Sequence, residues 1–193
     1  MVSVSSSTTR KSLSRSSTAI GLEGLVANSR GANIVLGIDP GLAHVGWGVI
    51  REKGASCELL EYGHLATSPD NSHAERLLAV HLEIIGVIDT YRPEVMAVEE
   101  IFHGRNARSS LLAGEGRAAC ILAGALRELQ VVEIPNNIVK LAVTGNGRAS
   151  KQQVQAMVRR LLELSDDPRP ADAADALAVA LTHARRRQGR IRI

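Results

Sequence analysis

The chain predicts an α/β fold, a five-stranded mixed sheet flanked by helices. Two observations carry this. Short apolar runs closed by glycine, proline or acidic residues recur between residues 33 and 134, and apolar residues return at helical spacing between and after them. The resulting order is three strands, a helix, a strand, a helix, a strand and then helices, which is the sequence of a layered α/β domain.

The first strand is Asn33-Ile-Val-Leu-Gly-Ile-Asp39, closed by Pro40-Gly41. His44 to Arg51 is the second, with Gly46 and Gly48 alternating with Trp47 and Val49, and Glu58 to Leu65 is the third. Short turns between them imply an antiparallel meander. From His73 to Thr90, Leu77, Leu78, His81, Leu82, Ile85 and Ile88 keep helical spacing, and Pro93 ends that unit. Val95 to Val98 reads as a fourth strand buried on both faces and closed by Glu99 and Glu100. Arg108 to Leu129 reads as a long helix whose Ala and Gly residues allow close approach to the sheet. Gln130 to Ile134 is the fifth strand, and Pro135-Asn136-Asn137 opens a short helix through Val143. After the loop Gly145-Asn146-Gly147, Ser150 is placed to cap a helix ending near Leu164. The segment Asp166-Asp167-Pro168-Arg169-Pro170 separates it from a last helix, Ala171 to about Arg186.

The 193 residues suffice for one ordinary domain, expected over residues 33–184. Residues 1–32 read as a disordered extension, with eight serines and three threonines in the first eighteen positions and no sustained periodicity. An organellar transit peptide has the same Ser-rich, Arg-bearing composition and is the alternative reading. Residues 185–193 hold five arginines and no acid, and read as a basic tail. No run approaches the length of a membrane span. Cys57 and Cys120 are too few and too far apart for a disulfide scaffold or a zinc site, so a reducing compartment fits best.

Net charge is +3, but it is unevenly placed. Residues 32–100 hold 4 basic and 11 acidic groups, whereas 101–160 hold 9 basic and 3 acidic. An acidic half beside a basic half suits an enzyme that binds cations and phosphates, although surface charge alone also fluctuates.

Four carboxylates stand out. Asp39 ends the first strand, where an acid more often serves a turn. Glu99 and Glu100 end the fourth, where such a pair is usually solvated, and a strand apolar on both faces leaves open which of them points inward. Asp172 and Asp175 lie three apart on one face of the last helix, among Ala171, Ala173, Ala174 and Ala176. The helix dipole accounts for Asp172 and less readily for Asp175 too. Several converging carboxylates would repel one another unless cations lay between them. Two Mg²⁺ would balance four such charges, in the two-metal arrangement for in-line displacement at phosphorus, with the ions about 3.5 to 4 Å apart.

Together, Gly37-Ile38-Asp39-Pro40-Gly41 with Gly46-Trp47-Gly48, Val98-Glu99-Glu100-Ile101-Phe102, Asn137 to Lys140, Ser150-Lys151 and Ala171-Asp172-Ala173-Ala174-Asp175-Ala176-Leu177-Ala178 resemble the bacterial RuvC family of Holliday junction resolvases. The resemblance runs from about Asn33 to His183. It implies an RNase H-like fold, a homodimer, and Mg²⁺-dependent symmetric nicking of four-way DNA junctions in recombination and repair, with Mn²⁺ as a possible substitute metal. The family's metal-binding catalytic acids fall on Asp39, Glu99, Asp172 and Asp175, Glu99 being chosen over Glu100 by its distance from the Phe. Its phosphate-contacting lysines fall on Lys140 and Lys151. Phe102 would stack on an unpaired base, with Arg105 and Arg108 nearby, and Arg148 would follow the DNA backbone. A lone Phe is otherwise a core residue. The RuvA and RuvB branch-migration proteins are the implied partners, and a cytoplasmic, nucleoid-associated location is expected, with organellar import as the alternative.

Three other readings remain. One is an RNase H-like nuclease acting on hybrid or linear duplexes. Another is a junction-binding module without catalysis, which would lack one or more of the four acids. The third, an actin-like sugar kinase or ATPase, would need a second glycine-rich phosphate loop and about twice the length.

Overall fold

Period-two alternation in the central strands decides which side chains face which layer. The computed structural model describes residues 5–8, 33–100 and 107–189. The strands are β1 (Ser5–Thr8), β2 (Ile34–Asp39), β3 (His44–Lys53), β4 (Ser56–Ala66), β5 (Val95–Glu99) and β6 (Gln130–Ile134). The helices are α1 (His73–Tyr91), α2 (Ala107–Leu126), α3 (Asn136–Thr144), α4 (Lys151–Leu161) and α5 (Ala171–Arg187). Sheet order is β1-β4-β3-β2-β5-β6. The expected five-stranded mixed sheet is therefore present: β2, β3 and β4 form the antiparallel meander, while β5 and β6 run parallel to β2.

Leu36, Ile38, Val45, Trp47, Met96 and Val98 face one layer, where they pack with α1 and α2. Val35, Ile50, Val95 and Ala97 face the other, built on α5 with α3 and α4 behind it. Trp47 is buried, donates from Nε1 to Glu83 Oε1 at 2.9 Å and lies 6.4 Å from the Tyr91 ring, so it is a core residue. Cys120 is buried too, and burial pushes its thiol up to about 12. Neither Cys57 nor Cys120 is in a disulfide.

Helix α5 buries ten residues between Ala173 and Ala184, so it is covered on nearly every side. It lies directly on the sheet because glycines face it. A Cβ on Gly37 would fall 2.1 Å from the Ala176 carbonyl oxygen, and one on Gly46 would fall 1.9 Å from that of Asp172. Any side chain at either position would push the helix off the sheet. Capping boxes on Ser72–Glu75 and Ser150–Gln153 start α1 and α4, the second where the sequence places it.

Some boundaries differ from expectation. Residues Ser5–Thr8, within the segment expected to be disordered, pair antiparallel with Gly63–Ala66 of β4 as a sixth strand. Backbone pairing along a sheet edge needs no buried side chain, which is why composition gave no sign of it. Helix α2 stops at Leu126 rather than Leu129: Glu128 turns to φ 56° and the Leu129 amide donates to the Gly124 carbonyl at 3.0 Å. Helix α5 ends at Arg187, within a residue of its expected end near Arg186, so it runs into the segment read as a basic tail, and its last arginine is held by a buried acid.

Candidate active site

Strand parity brings the acids together. Asp39 continues the row of Val35 and Gly37, and Glu99 that of Val95 and Ala97, so both carboxylates emerge on the α5 side at adjacent strand ends. Glu99 is half-buried there and lines the cavity, while Glu100 is exposed and does not. From the first turns of α5, Asp172 and Asp175 descend to the same place, drawn in by the contact over Gly46. One carboxylate oxygen each from Asp39, Asp172 and Asp175 lie within 4.8 Å of one another. That is about the span across a hard cation held by oxygens 2.1–2.5 Å away. Glu99 lies in the same cavity of about 260 Å³, with Asn136, Lys140 and Lys151.

Charge is undercompensated in this cavity. Burial pushes the Asp39 carboxyl well above its ordinary range, and Glu99, Asp175 and Asp172 push it further, against a smaller pull from Lys151. Burial also raises Glu99, with a hydrogen bond from Asn136 opposing it. Lys151 places Nζ 2.7 Å from Asp175 Oδ2, and that bond raises the lysine. An all-oxygen donor set with excess negative charge fits a divalent cation, and the acid cluster is a compatible metal site.

The other expected residues are distributed differently. Lys140 lines the cavity and lowers Glu99 through space. Arg148 is exposed on the loop after α3, outside the cavity lining, its backbone amide donating to Asn146 Oδ1 at 2.9 Å. Arg108 is exposed in the first turn of α2, also outside that lining. Phe102 and Arg105 lie outside the described residues. A larger groove of about 990 Å³, between β4 and the α4–α5 connection, contains none of the four acids.

Sequence reasoning missed Asn136. Its Nδ2 donates to Glu99 Oε1 from the first residue of α3. The available signal was its place after Pro135, directly beyond a strand that had to end beside Glu99 if the two ran parallel.

Comparison with known proteins agrees with this geometry. The family described as "Crossover junction endodeoxyribonuclease RuvC" matches residues 35–183. Proteins of that name from Heliobacterium modesticaldum and Desulforamulus reducens are 47% and 46% identical, over 77% and 78% of this chain and 91% and 93% of theirs. A structure of Thermus thermophilus RuvC in complex with Holliday junction substrate is 39% identical, with a TM-score of 0.78 over 81% of this chain and 96% of that one. The yeast mitochondrial Holliday junction resolvase Ydc2, 12% identical with a TM-score of 0.58, shares the fold over 80% of this chain and 79% of its own. With its acids at the strand ends and this agreement across nearly the whole ordered domain, the chain belongs to the RuvC family of crossover junction endodeoxyribonucleases.

Proposed function

We propose that this protein resolves four-way DNA junctions by hydrolysing phosphodiester bonds at the Asp39, Glu99, Asp172 and Asp175 cluster, with two Mg²⁺ as the working metals and Mn²⁺ as a substitute. The observation that carries this reading is the meeting of Asp39, Asp172 and Asp175 oxygens within 4.8 Å, in a cavity where like charge outweighs cationic side chains. Bound there, divalent cations would activate an attacking water and stabilise the leaving oxygen. The protein's own part is to hold the acids. Asp39 and Glu99 are fixed by strands, and Asp172 and Asp175 by a helix that cannot shift without lifting off Gly37 and Gly46. Lys151 and Lys140 stand at the cavity to receive a phosphate, and Arg148, exposed on the loop after α3, is assigned to the DNA backbone from the sequence pattern. Phe102, Arg105 and Arg108 are assigned to the junction from the sequence pattern alone.

A homodimer presents two equivalent sites to a junction of near two-fold symmetry. Leu78 and Leu82 on α1, with Leu122 and Leu126 on α2, are exposed and support such an interface. The RuvA and RuvB proteins as partners, and a cytoplasmic site of action near the nucleoid, belong to the same proposal, as does the division into extension, nuclease domain and basic C-terminal residues.

Incubation of the full chain with a synthetic four-way junction, with and without Mg²⁺, tests it. Paired symmetric nicks that need the metal are expected. Equal or better cutting of an RNA–DNA hybrid or a linear duplex at the same salt would reject junction selectivity.

A further inference from the structure

Glu99 and Asp175 are both held by a neighbouring side chain, but by different chemistry. Asp175 is met by an ammonium, Lys151. Glu99 is met by a neutral amide, Asn136. A cation on a metal ligand competes with the metal for the same charge, whereas an uncharged N–H donor can orient a carboxylate and leave its charge in place.

We infer that Asn136 is a positioning residue for Glu99, its side-chain amide engaging Oε1 and leaving Oε2 for the metal. The inference rests on the metal-site reading above. Its backbone is well anchored for the task. Strand β6 runs parallel to β5 with Ile134 opposite Glu99, and the Glu100 amide donates to the Ile134 carbonyl at 2.9 Å. Two residues later α3 begins, with the Ile138 and Val139 amides donating to the Pro135 carbonyl at 2.9 and 3.0 Å and Val139 buried beneath. Asn136 is thus fixed on the same two strands that fix Glu99. Helix α3 begins at Asn136 with Pro135 as its N-cap, and from that first position the Asn136 Nδ2 donates across to Glu99. Because Asn136 is exposed, its replacement removes little packing.

The test is calorimetric titration of the full chain with Mg²⁺ in the absence of DNA, beside junction nicking across a Mg²⁺ series. Asn136→Ala is expected to bind Mg²⁺ about tenfold more weakly. The Mg²⁺ needed for half-maximal nicking should rise by a similar factor, and the rate at saturating Mg²⁺ should stay close to wild type. Asn136→Gln keeps the amide donor and should recover most of the affinity, while thermal unfolding in chelator should be the same for all three. Unchanged Mg²⁺ affinity in Asn136→Ala, or a Gln variant as weak as the Ala variant, would overturn the positioning role alone. A wild-type chain that takes up no Mg²⁺ would overturn both this role and the metal-site reading.

Discussion

At the end of the sheet away from the acid cluster, Glu52 also lies buried, with 5% of its side chain exposed, but it faces a guanidinium. Arg187 Nη2 stands 2.6 Å from its Oε2. With its amide nitrogen turned to Glu94 and its oxygen to Arg187, Asn33 would link the same arginine to Glu94. Both ends are spanned by α5, whose 17 residues extend about 25 Å. Its first turns supply Asp172 and Asp175 and its last turn supplies Arg187, each sign where the helix dipole favours it. The chain therefore can bury an acid with a built-in partner, and does so at Glu52. At the other end, among the described residues, the cation in contact with the four acids is Lys151, 60% exposed, with Lys140 acting through space. The difference separates an acid retained for structure from acids left short of positive charge, which is the condition for taking up cations from solution.

The largest effect should come from neutralising one acid at each end. Asp39→Asn is expected to lower junction nicking by roughly three orders of magnitude, the rate equivalent of about 4 kcal/mol of lost charge stabilisation. Junction binding in a gel-shift assay should persist. Glu52→Gln should nick at the wild-type rate. Full nicking by the Asp39 variant in Mg²⁺ would remove the functional side of the contrast.

Arg187→Ala acts at the structural end. It leaves Glu52 buried without its partner, and one Glu52 oxygen already lacks a hydrogen bond in the described structure. Breaking such a pair should cost about 1–3 kcal/mol in urea unfolding, the lower part of the usual range because Arg187 is half exposed. Adding Glu52→Gln to Arg187→Ala should recover part of that loss. A loss no larger than that of Arg186→Ala would mean that the pair contributes nothing beyond surface charge.

The two ends were unequally legible in the sequence. Asp39 and Glu99 could be found because each closes a short apolar run, and Asp172 and Asp175 because three-residue spacing puts them on one helix face. All of these are local patterns. Strand alternation could not choose Glu99 over Glu100 in a strand buried on both sides, and only the family resemblance favoured Glu99; in the structure Glu99 continues the row of Val95 and Ala97. Glu52 and Arg187 are 135 positions apart, and no local pattern pairs them. Asn136 was legible as a helix start and not as Glu99's partner, because that depends on β5 and β6 lying side by side. The backbone pairing of Ser5–Thr8 was invisible for a related reason, since an edge strand leaves no hydrophobic signature.

The acid cluster should also make the metal-free protein pH-sensitive. Asp39 is raised from 3.8 by burial and then by Glu99, Asp175 and Asp172, and Glu99 is raised from 4.5 by burial first. Raised folded-state values mean that the folded chain holds protons the unfolded chain has released. Stability in chelator should therefore fall as pH rises from about 4 through those raised values. Glu52 is raised as well and adds a slope of the same sign. Mg²⁺ distinguishes the two ends, because it should restore stability at neutral pH by filling the acid cluster while leaving the Glu52 contribution unchanged. Asp39→Asn should unfold at a higher temperature than wild type in chelator at pH 7 and lose much of its response to Mg²⁺. A thermal unfolding series between about pH 5 and 8, with and without Mg²⁺, measures both slopes.

Lys151 gives the smallest stability effect and tests whether its ion pair with Asp175 is structural. An exposed lysine paired with a carboxylate is worth about 0–1 kcal/mol, so Lys151→Ala should shift the urea midpoint little. Two other changes are expected. Mg²⁺ should bind the variant at least as tightly as wild type, because no ammonium then competes for Asp175 Oδ2, and nicking should fall despite the filled site. Tighter metal with slower cleavage would place Lys151 on the phosphate side of the reaction. A loss of stability matching that of Arg187→Ala would instead make Lys151 a structural partner of Asp175, and the two ends of α5 would then differ only in how many acids each one holds.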